Sequence, residues 1–215
     1  ILFILSFFYK FNKSQKIIIS SAMYAPWKDD RSFFNLFSEL KELTIIDEAR
    51  AYTLWYLSKS LKNIKGDIFD VGCMKGGAGI LMSKANKNKT TKTYFIDTFD
   101  GFVKSYGEHK KKETFVYTKT NELKKNLNKF KIKNFRIIKT RFPKKFLIKG
   151  KIKLCHLDIN VYEDTIKSFL FIDKHLVKNG VIVFDDYGIF KVDGILNAIK
   201  KILKKKYDQK YHVIY

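Results

Sequence analysis

After Asp67 the chain repeats one pattern, a short apolar run followed by a helical stretch. Apolar runs fall at 68–71, 93–96, 135–139, 152–157 and 181–184, with helical spacing of apolar residues at about 78–87, 119–130, 162–177 and 192–205. Runs that are apolar along their length, rather than on alternate residues, belong to strands covered on both faces. Strand and helix in alternation join the strands in parallel, since each return must cross over the sheet. The pattern predicts an α/β fold: a mostly parallel, Rossmann-like sheet with helices on both faces, which takes ligands at the carboxyl ends of its strands. Ahead of it, Phe33, Phe34, Phe37, Leu40 and Leu43 recur at helical spacing, as do Ala51, Leu54, Trp55, Leu57 and Leu61. Both stripes predict extra N-terminal helices turned toward the core. A chain of 215 residues, 46% hydrophobic, can fill one core. It reads as one compact unit, with an N-terminal helical region at 1–64 and a Rossmann-like region at 65–215.

Acids stand where the apolar runs stop. The stretch Asp70-Val71-Gly72-Cys73-Met74-Lys75-Gly76-Gly77 has the spacing D-x-G-x-x-x-G-G: an acid closes the first strand, glycines make a tight turn, and a helix begins at once. A small loop lets backbone approach a ligand, and the helix start offers free N–H donors. The spacing differs from the G-x-G-x-x-G of dinucleotide enzymes and from the G-x-x-x-x-G-K-[ST] of nucleoside triphosphatases. Asp97 closes the next strand in YFID, where a carboxylate in such folds accepts ribose hydroxyls. The plainer alternative is that Asp97 caps the turn before Thr98 and Phe99. Together Asp70, Gly72 and Asp97 point to an adenosine-bearing ligand with a carboxyl or amino tail near Asp70. Further along, His156-Leu157-Asp158-Ile159-Asn160-Val161-Tyr162 and Phe184-Asp185-Asp186-Tyr187 place three carboxylates at two strand ends expected to be neighbours. Three acids make a hard oxygen site that suits Mg²⁺, and a cation would relieve the repulsion between Asp185 and Asp186. Alternatively, one of the pair caps a helix while the other binds a lysine.

The formal charge of +22 invites nucleic acid as a partner. The basic residues are nearly all lysine, however, with arginine only at Arg31, Arg50, Arg136 and Arg141. Arginine is the residue that contacts phosphate and guanine through two donors at once. The charge therefore reads as solvated lysine faces, and no nucleic-acid partner is expected. Cys73 and Cys155 form no C-x-x-C pair, which fits a reducing, cytoplasmic compartment. The opening ILFILSFF is apolar but shorter than the roughly 20 residues that cross a bilayer. It is compatible with a trimmed signal-like segment, with weak peripheral membrane association or with an element docked on the core, and no stable membrane insertion is expected. Residues 99–117, which include GFVKSYGEHKKKETFVY, are too polar and irregular for the sheet and follow a strand's carboxyl end, which predicts a closing lid. The final YHVIY, 211–215, reads as a last strand.

Over about residues 25–200 the chain resembles the macrocin O-methyltransferase (TylF-like) family, within the class I S-adenosylmethionine-dependent methyltransferases. The stretches that carry the resemblance are APWKDDRSFFNLF, IIDEARAYTLWYLSKSLKNIKGDIFDVGCMKGG, YFIDTFDGF, CHLDINVYEDT and GVIVFDDYG. The resemblance implies S-adenosylmethionine and Mg²⁺ as cofactors, and a homodimer. The implied acceptor is a hydroxyl of a sugar, a glycosylated small molecule or a surface glycan. It places Asp70, Gly72 and Gly76, with Gly77 beside them, along the methionine part of the cofactor, and Asp97 with Thr98 at its ribose. It makes Asp158, Asp185 and Asp186 the metal ligands, and gives the region 1–64 to the substrate side and lid. The sequence departs from the family at one position. Where the family has D-x-D-x-Y, its second acid a candidate general base, this chain has D-I-N-V-Y. Asn160 has no titratable group near neutrality and cannot take a proton as a carboxylate does. Its expected part is to orient the acceptor, with His156, His109 or water accepting the proton. Two rival readings stay open: a cofactor- or glycan-binding protein of this fold whose catalysis was lost with the base, and, least favoured, an RNA methyltransferase recruited by its lysines.

Overall fold

A computed structural model describes residues 25–100, 118–144, 148, 150–159, 161–187, 193–207 and 210–212. Its sheet contains β1 (Asp67–Val71), β2 (Thr93–Asp97), β3 (Phe135–Lys139), β4 (Ile152–Leu157) and β5 (Leu176–Phe184). The spatial order is β3-β2-β1-β4-β5, and every pair is parallel. From β1 the chain moves outward through β2 to β3, then returns to the other side of β1 for β4 and β5. That reversal opens a crevice at the carboxyl ends of β1 and β4.

The helices are α1 (Arg31–Leu40), α2 (Glu48–Ser60), α3 (Gly77–Asn86), α4 (Thr120–Lys129), α5 (Tyr162–His175) and α6 (Asp193–Ile202). Each of the two N-terminal helices starts on an aspartate that accepts a backbone N–H: Asp30 from Phe33 at 3.0 Å and Asp47 from Arg50 at 2.9 Å. Such caps satisfy donors that the first helical turn leaves free. Asp30 also accepts from Trp55 Nε1 at 2.9 Å, which ties α1 to α2.

Side chains alternate across each strand, so the sheet carries two cores. On one face Ile68, Phe95 and Leu154 pack with Phe33, Phe37, Leu40, Ala51, Leu54 and Trp55 of α1 and α2, and with residues of α3 and α4. On the other, Phe69, Val71, Tyr94, Ile96, Cys155 and Leu157 pack with Phe142 and with Ile172 of α5. The five strands expected between residues 68 and 184, and the helices expected with them, are present with shifted ends. Helix α5 stops at His175, and β5 begins five residues before the predicted start, at Leu176. The extra length is taken up by an irregularity: Ile152 faces Leu176 while Leu154 faces Val181, and Asn179 adopts a φ of 63°. The stretch after Ile202 winds into a π turn, Leu203–Tyr207, rather than continuing α6 to residue 205. Phe34, expected in the buried stripe, is 48% exposed. It sits one residue round from Phe33, off the narrow face that α1 turns inward. Tyr211 and His212 lie in no strand, and the rest of the expected last strand, residues 213–215, falls outside the described residues. So do the opening apolar segment and residues 101–117 of the expected lid. Among the described residues no helix is long and apolar enough to cross a membrane.

A lysine lies inside the molecule at the amino end of β4. Lys153 has no exposed surface, and its Nζ donates to Ile64 O at 3.2 Å, Asn86 Oδ1 at 3.0 Å and Thr91 Oγ1 at 2.8 Å. Three donors thus meet three uncharged acceptors. Burial pushes the amine down from its ordinary 10.5 to about 8, only partly opposed by Asp67. Because the unfolded chain then holds a proton that the folded one has lost, stability linked to Lys153 rises between pH 8 and 10.5. Urea denaturation of the wild type and Lys153→Met should show their stability difference flat below neutrality. It should then move toward the wild type by about 3 kcal/mol at most as pH is raised through that window.

Candidate active site

The glycine turn needs two residues without a Cβ. Gly72 has φ 86°, and a Cβ there would lie 2.0 Å from Asp158 O; Gly76 has φ 89°, and its Cβ would lie 2.4 Å from Leu123 Cδ1. Met74 between them also takes a positive φ, 45°. The loop is held from below: Gly72 N donates to Ile96 O at 2.8 Å, and Met74 N donates to Asp97 Oδ2 at 2.9 Å. Asp97 Oδ1 accepts from Phe99 N at 2.9 Å and from Thr98 Oγ1 at 3.5 Å. Asp97 therefore does cap the turn after β2, and it braces the glycine loop as well. A carboxylate has about four acceptor positions, so these contacts leave capacity for hydroxyls of a ligand. Gly77 opens α3, whose first turn no side chain caps, so its N–H groups face the crevice as donors.

Asp70 and His156 are register partners on β1 and β4, so their side chains share a face of the sheet. They meet there, Nδ1 to Oδ1 at 2.9 Å, with Asp70 at 0% and His156 at 2% exposure. Burial lowers the imidazole's affinity for a proton, but the hydrogen bond and charge of Asp70 outweigh it and push His156 up to about 9. The ring thus leans toward its protonated form and lies buried beneath the strand ends, hydrogen-bonded to Asp70. Asp70 Oδ2 and His156 Nε2 are buried with no protein partner among the described residues. A carboxylate oxygen so placed, under the glycine turn and the start of α3, suits the ammonium of an amino-acid tail.

The three remaining acids come together one strand over. Leu157 faces Phe184, so Asp158 and Asp185, the next residues on β4 and β5, stand side by side. The ladder continues past both strands: Asp158 N donates to Val71 O at 2.9 Å and Asp185 N to Leu157 O at 3.1 Å. Asp186 adopts φ 55°, a left-handed conformation that Asp tolerates better than most residues. The turn brings its carboxylate to the same place as that of Asp185, where a continuing strand would send it to the opposite face. Ligand oxygens of Asp158, Asp185 and Asp186 all lie within 4.8 Å of one another. Burial, then the charge of Asp185, pushes the Asp158 carboxyl up to about 8, with His156 opposing and Asp186 adding to the rise.

The sequence reading missed the positive group at this cluster. Arg50 of α2 donates through Nη1 to Asp185 Oδ1 at 3.0 Å, Asp185 Oδ2 at 2.9 Å and Asp186 Oδ1 at 3.1 Å. Its Nε donates to Asp47, the cap of the same helix, at 2.8 Å. The neighbouring acids hold the guanidinium above its ordinary range even though burial works the other way. Among the described residues, the partner that Asp185 and Asp186 share is an arginine. A signal was present in the rarity of arginine and in its place three residues after a capping aspartate. Asn160 and His109 lie outside the described residues.

The sequence matches the macrocin O-methyltransferase (TylF) family over residues 42–208. Among solved structures, the O-methyltransferase NovP is similar with a TM-score of 0.69 at 18% identity, covering 80% of this chain and 78% of that one. CalS11, a calicheamicin methyltransferase, is similar with a TM-score of 0.62 at 16% identity, covering 87% and 91%. A putative methyltransferase from Streptococcus mutans in complex with SAH gives 0.52 at 15% identity, covering 77% and 86%. At these identities the likeness to solved structures is one of fold. A search of curated protein sequences finds no match. The family match spans most of the chain and takes in the glycine turn and every acid of the cluster. The chain therefore belongs to the macrocin O-methyltransferase (TylF) family of S-adenosylmethionine-dependent O-methyltransferases.

Proposed function

We propose that this enzyme methylates a hydroxyl of a sugar or glycosylated small molecule, and that Asp158, Asp185 and Asp186 hold Mg²⁺ beside the acceptor. The observation that carries the reading is the meeting of these acids, within 4.8 Å of one another, at the crevice next to the glycine turn. The donor set fits the ion: three carboxylates are hard oxygen ligands that leave positions to water and substrate. The charge balance fits as well. Burial first, and then the charges of Asp185 and Asp186, raise the affinity of the Asp158 carboxyl for a proton, and a cation among these acids would favour its ionised form. The acceptor class is supported by the family and by the likeness to CalS11, described as a TDP-rhamnose 3'-O-methyltransferase.

Each part of the chain has a task in this reading. Asp70 Oδ2 and the N–H groups at the start of α3 bind the amino-acid tail of the cofactor, Gly72 and Gly76 let it approach the backbone, and Asp97, with Thr98, accepts its ribose hydroxyls. S-adenosylmethionine would supply the methyl group and leave as S-adenosylhomocysteine, and Mg²⁺ held by Asp158, Asp185 and Asp186 would lower the pKa of the acceptor hydroxyl, whose proton passes to water or to His109. The protein's main contribution is alignment, since holding two reactants in line removes much of the entropic barrier. Asn160 orients the acceptor without taking its proton. The N-terminal region, 1–64, belongs to the substrate side, as the reach of Arg50 from α2 to the acid cluster supports.

Calorimetry should show S-adenosylhomocysteine binding to the purified protein, and its absence would refute the assignment of the glycine turn. Asp185→Ala should lose Mg²⁺-dependent turnover roughly 100-fold, the scale of one electrostatic contact to a transition state. Undiminished turnover removes that residue from the site. Asn160→Asp, which restores an ionisable group, should raise kcat while leaving cofactor affinity unchanged. A wild type without activity beside an active Asn160→Asp would instead mark the natural chain as a non-catalytic binder.

A further inference from the structure

Asp185 and Asp186 are adjacent like charges at the end of a buried strand, and one positive group of the protein bridges them. The group that does so is aimed from elsewhere. Asp47 caps α2 by accepting Arg50 N at 2.9 Å, and its other oxygen accepts Arg50 Nε at 2.8 Å. The guanidinium is thus positioned from its own helix and presents Nη1 to three carboxylate oxygens across the crevice mouth. A lysine has no second donor along its stem and could not be steered in this way. The oxygens taken by Nη1 belong to two of the three carboxylates that would coordinate a cation.

We propose that Arg50 is the resident countercharge of the acid cluster, a positioning residue that assembles Asp185 and Asp186 before a divalent cation arrives and limits how tightly that cation is bound. The inference rests on the reading of this cluster as a cation site. Three carboxylates converge on one guanidinium, a set of hard oxygen donors suited to a divalent ion. Cation and guanidinium compete for the same oxygens and repel each other at contact range. The Arg50 side chain is 32% exposed, so Nη1 has solvent to move into as the ion enters. Arg50 therefore has two opposed effects: it stabilises the ion-free fold and weakens the ion's hold. A site built this way keeps its geometry when empty and releases its ion readily.

Mg²⁺ and S-adenosylhomocysteine are titrated separately into metal-free wild-type protein, Arg50→Met and Arg50→Gln, and each protein is melted in EDTA. Both variants should bind Mg²⁺ about tenfold tighter or more, one charge at this range being worth that much even when screened. They should also melt at lower temperature without metal and keep the affinity for S-adenosylhomocysteine. Unchanged or weaker Mg²⁺ binding, in variants that still bind S-adenosylhomocysteine, overturns the countercharge role and leaves the cation site standing. No Mg²⁺ binding by the wild type or the variants, in calorimetry and in melting, overturns both. If the variants do not fold, the wild type decides. Mg²⁺ should shift the Arg50 Nε resonance in a nitrogen NMR spectrum, and an unmoved resonance at saturating Mg²⁺ overturns the proposal.

Discussion

Asp158 N donates to Val71 O, and Asp185 N donates to Leu157 O, so the hydrogen-bond ladder of the sheet runs one residue beyond its strands. Each acid that follows β4 or β5 is thereby placed by the neighbouring strand rather than by a free loop. The same pairing, one step back, sets Asp70 opposite His156. A slip of one residue between β1 and β4 would turn His156 to the other face and leave Asp70 buried without that partner. It would also carry Asp158 away from Gly72, whose missing Cβ is what admits Asp158 O. The chemistry of the crevice is thus anchored in backbone geometry, which gives the charged side chains little freedom to relax apart.

Charge confined in this way must be balanced locally. The chain carries a formal charge of +22, mostly from lysine, yet among the described residues the groups seen to meet these acids are a histidine and an arginine. Asp70 has the imidazole of His156, and Asp185 and Asp186 share the guanidinium of Arg50. The two partners are held differently: His156 is buried between strands, whereas Arg50 is anchored at Nε by the cap of its own helix and keeps its Nη1 end at the solvent. Asp158 is fully enclosed beside Asp185, and burial first, then that neighbouring charge, raises its affinity for a proton. The far end of β4 shows the contrasting solution. There Lys153 is buried among uncharged acceptors, and its amine gives up its proton more readily than usual.

Much of the fold was legible in the residues. Continuous apolar runs bounded by turns located the five strands, because a strand buried on both faces has no polar side to interrupt its pattern. Element ends were less legible, since the turn at Asn179 and the early start of β5 depend on how β5 meets β4. Phe34 shows the same limit on a helix, where spacing alone does not tell which edge of a stripe faces water. Of the site, the acids and glycines could be read from their positions after apolar runs. Their partners could not. Arg50 lies 135 residues from Asp185 and belongs to a helix outside the sheet. His156 could be read as an imidazole that titrates near neutrality, but only the register with Asp70 shows the carboxylate that raises its affinity for a proton.

The sequence alone determined the class of the fold, the glycine turn, and the identity of the acids at the strand ends, because each of these depends on residues close together in the chain. It also determined that Asn160 stands where the family carries a second acid. Tertiary structure decided which charges meet: Asp70 with His156, Asp185 and Asp186 with Arg50, and Asp158 with neither. The physical reason is that strand order, register and the placement of α2 on the sheet bring distant residues within a few ångströms. Electrostatic balance at a buried site is settled at that range and is not visible in local spacing.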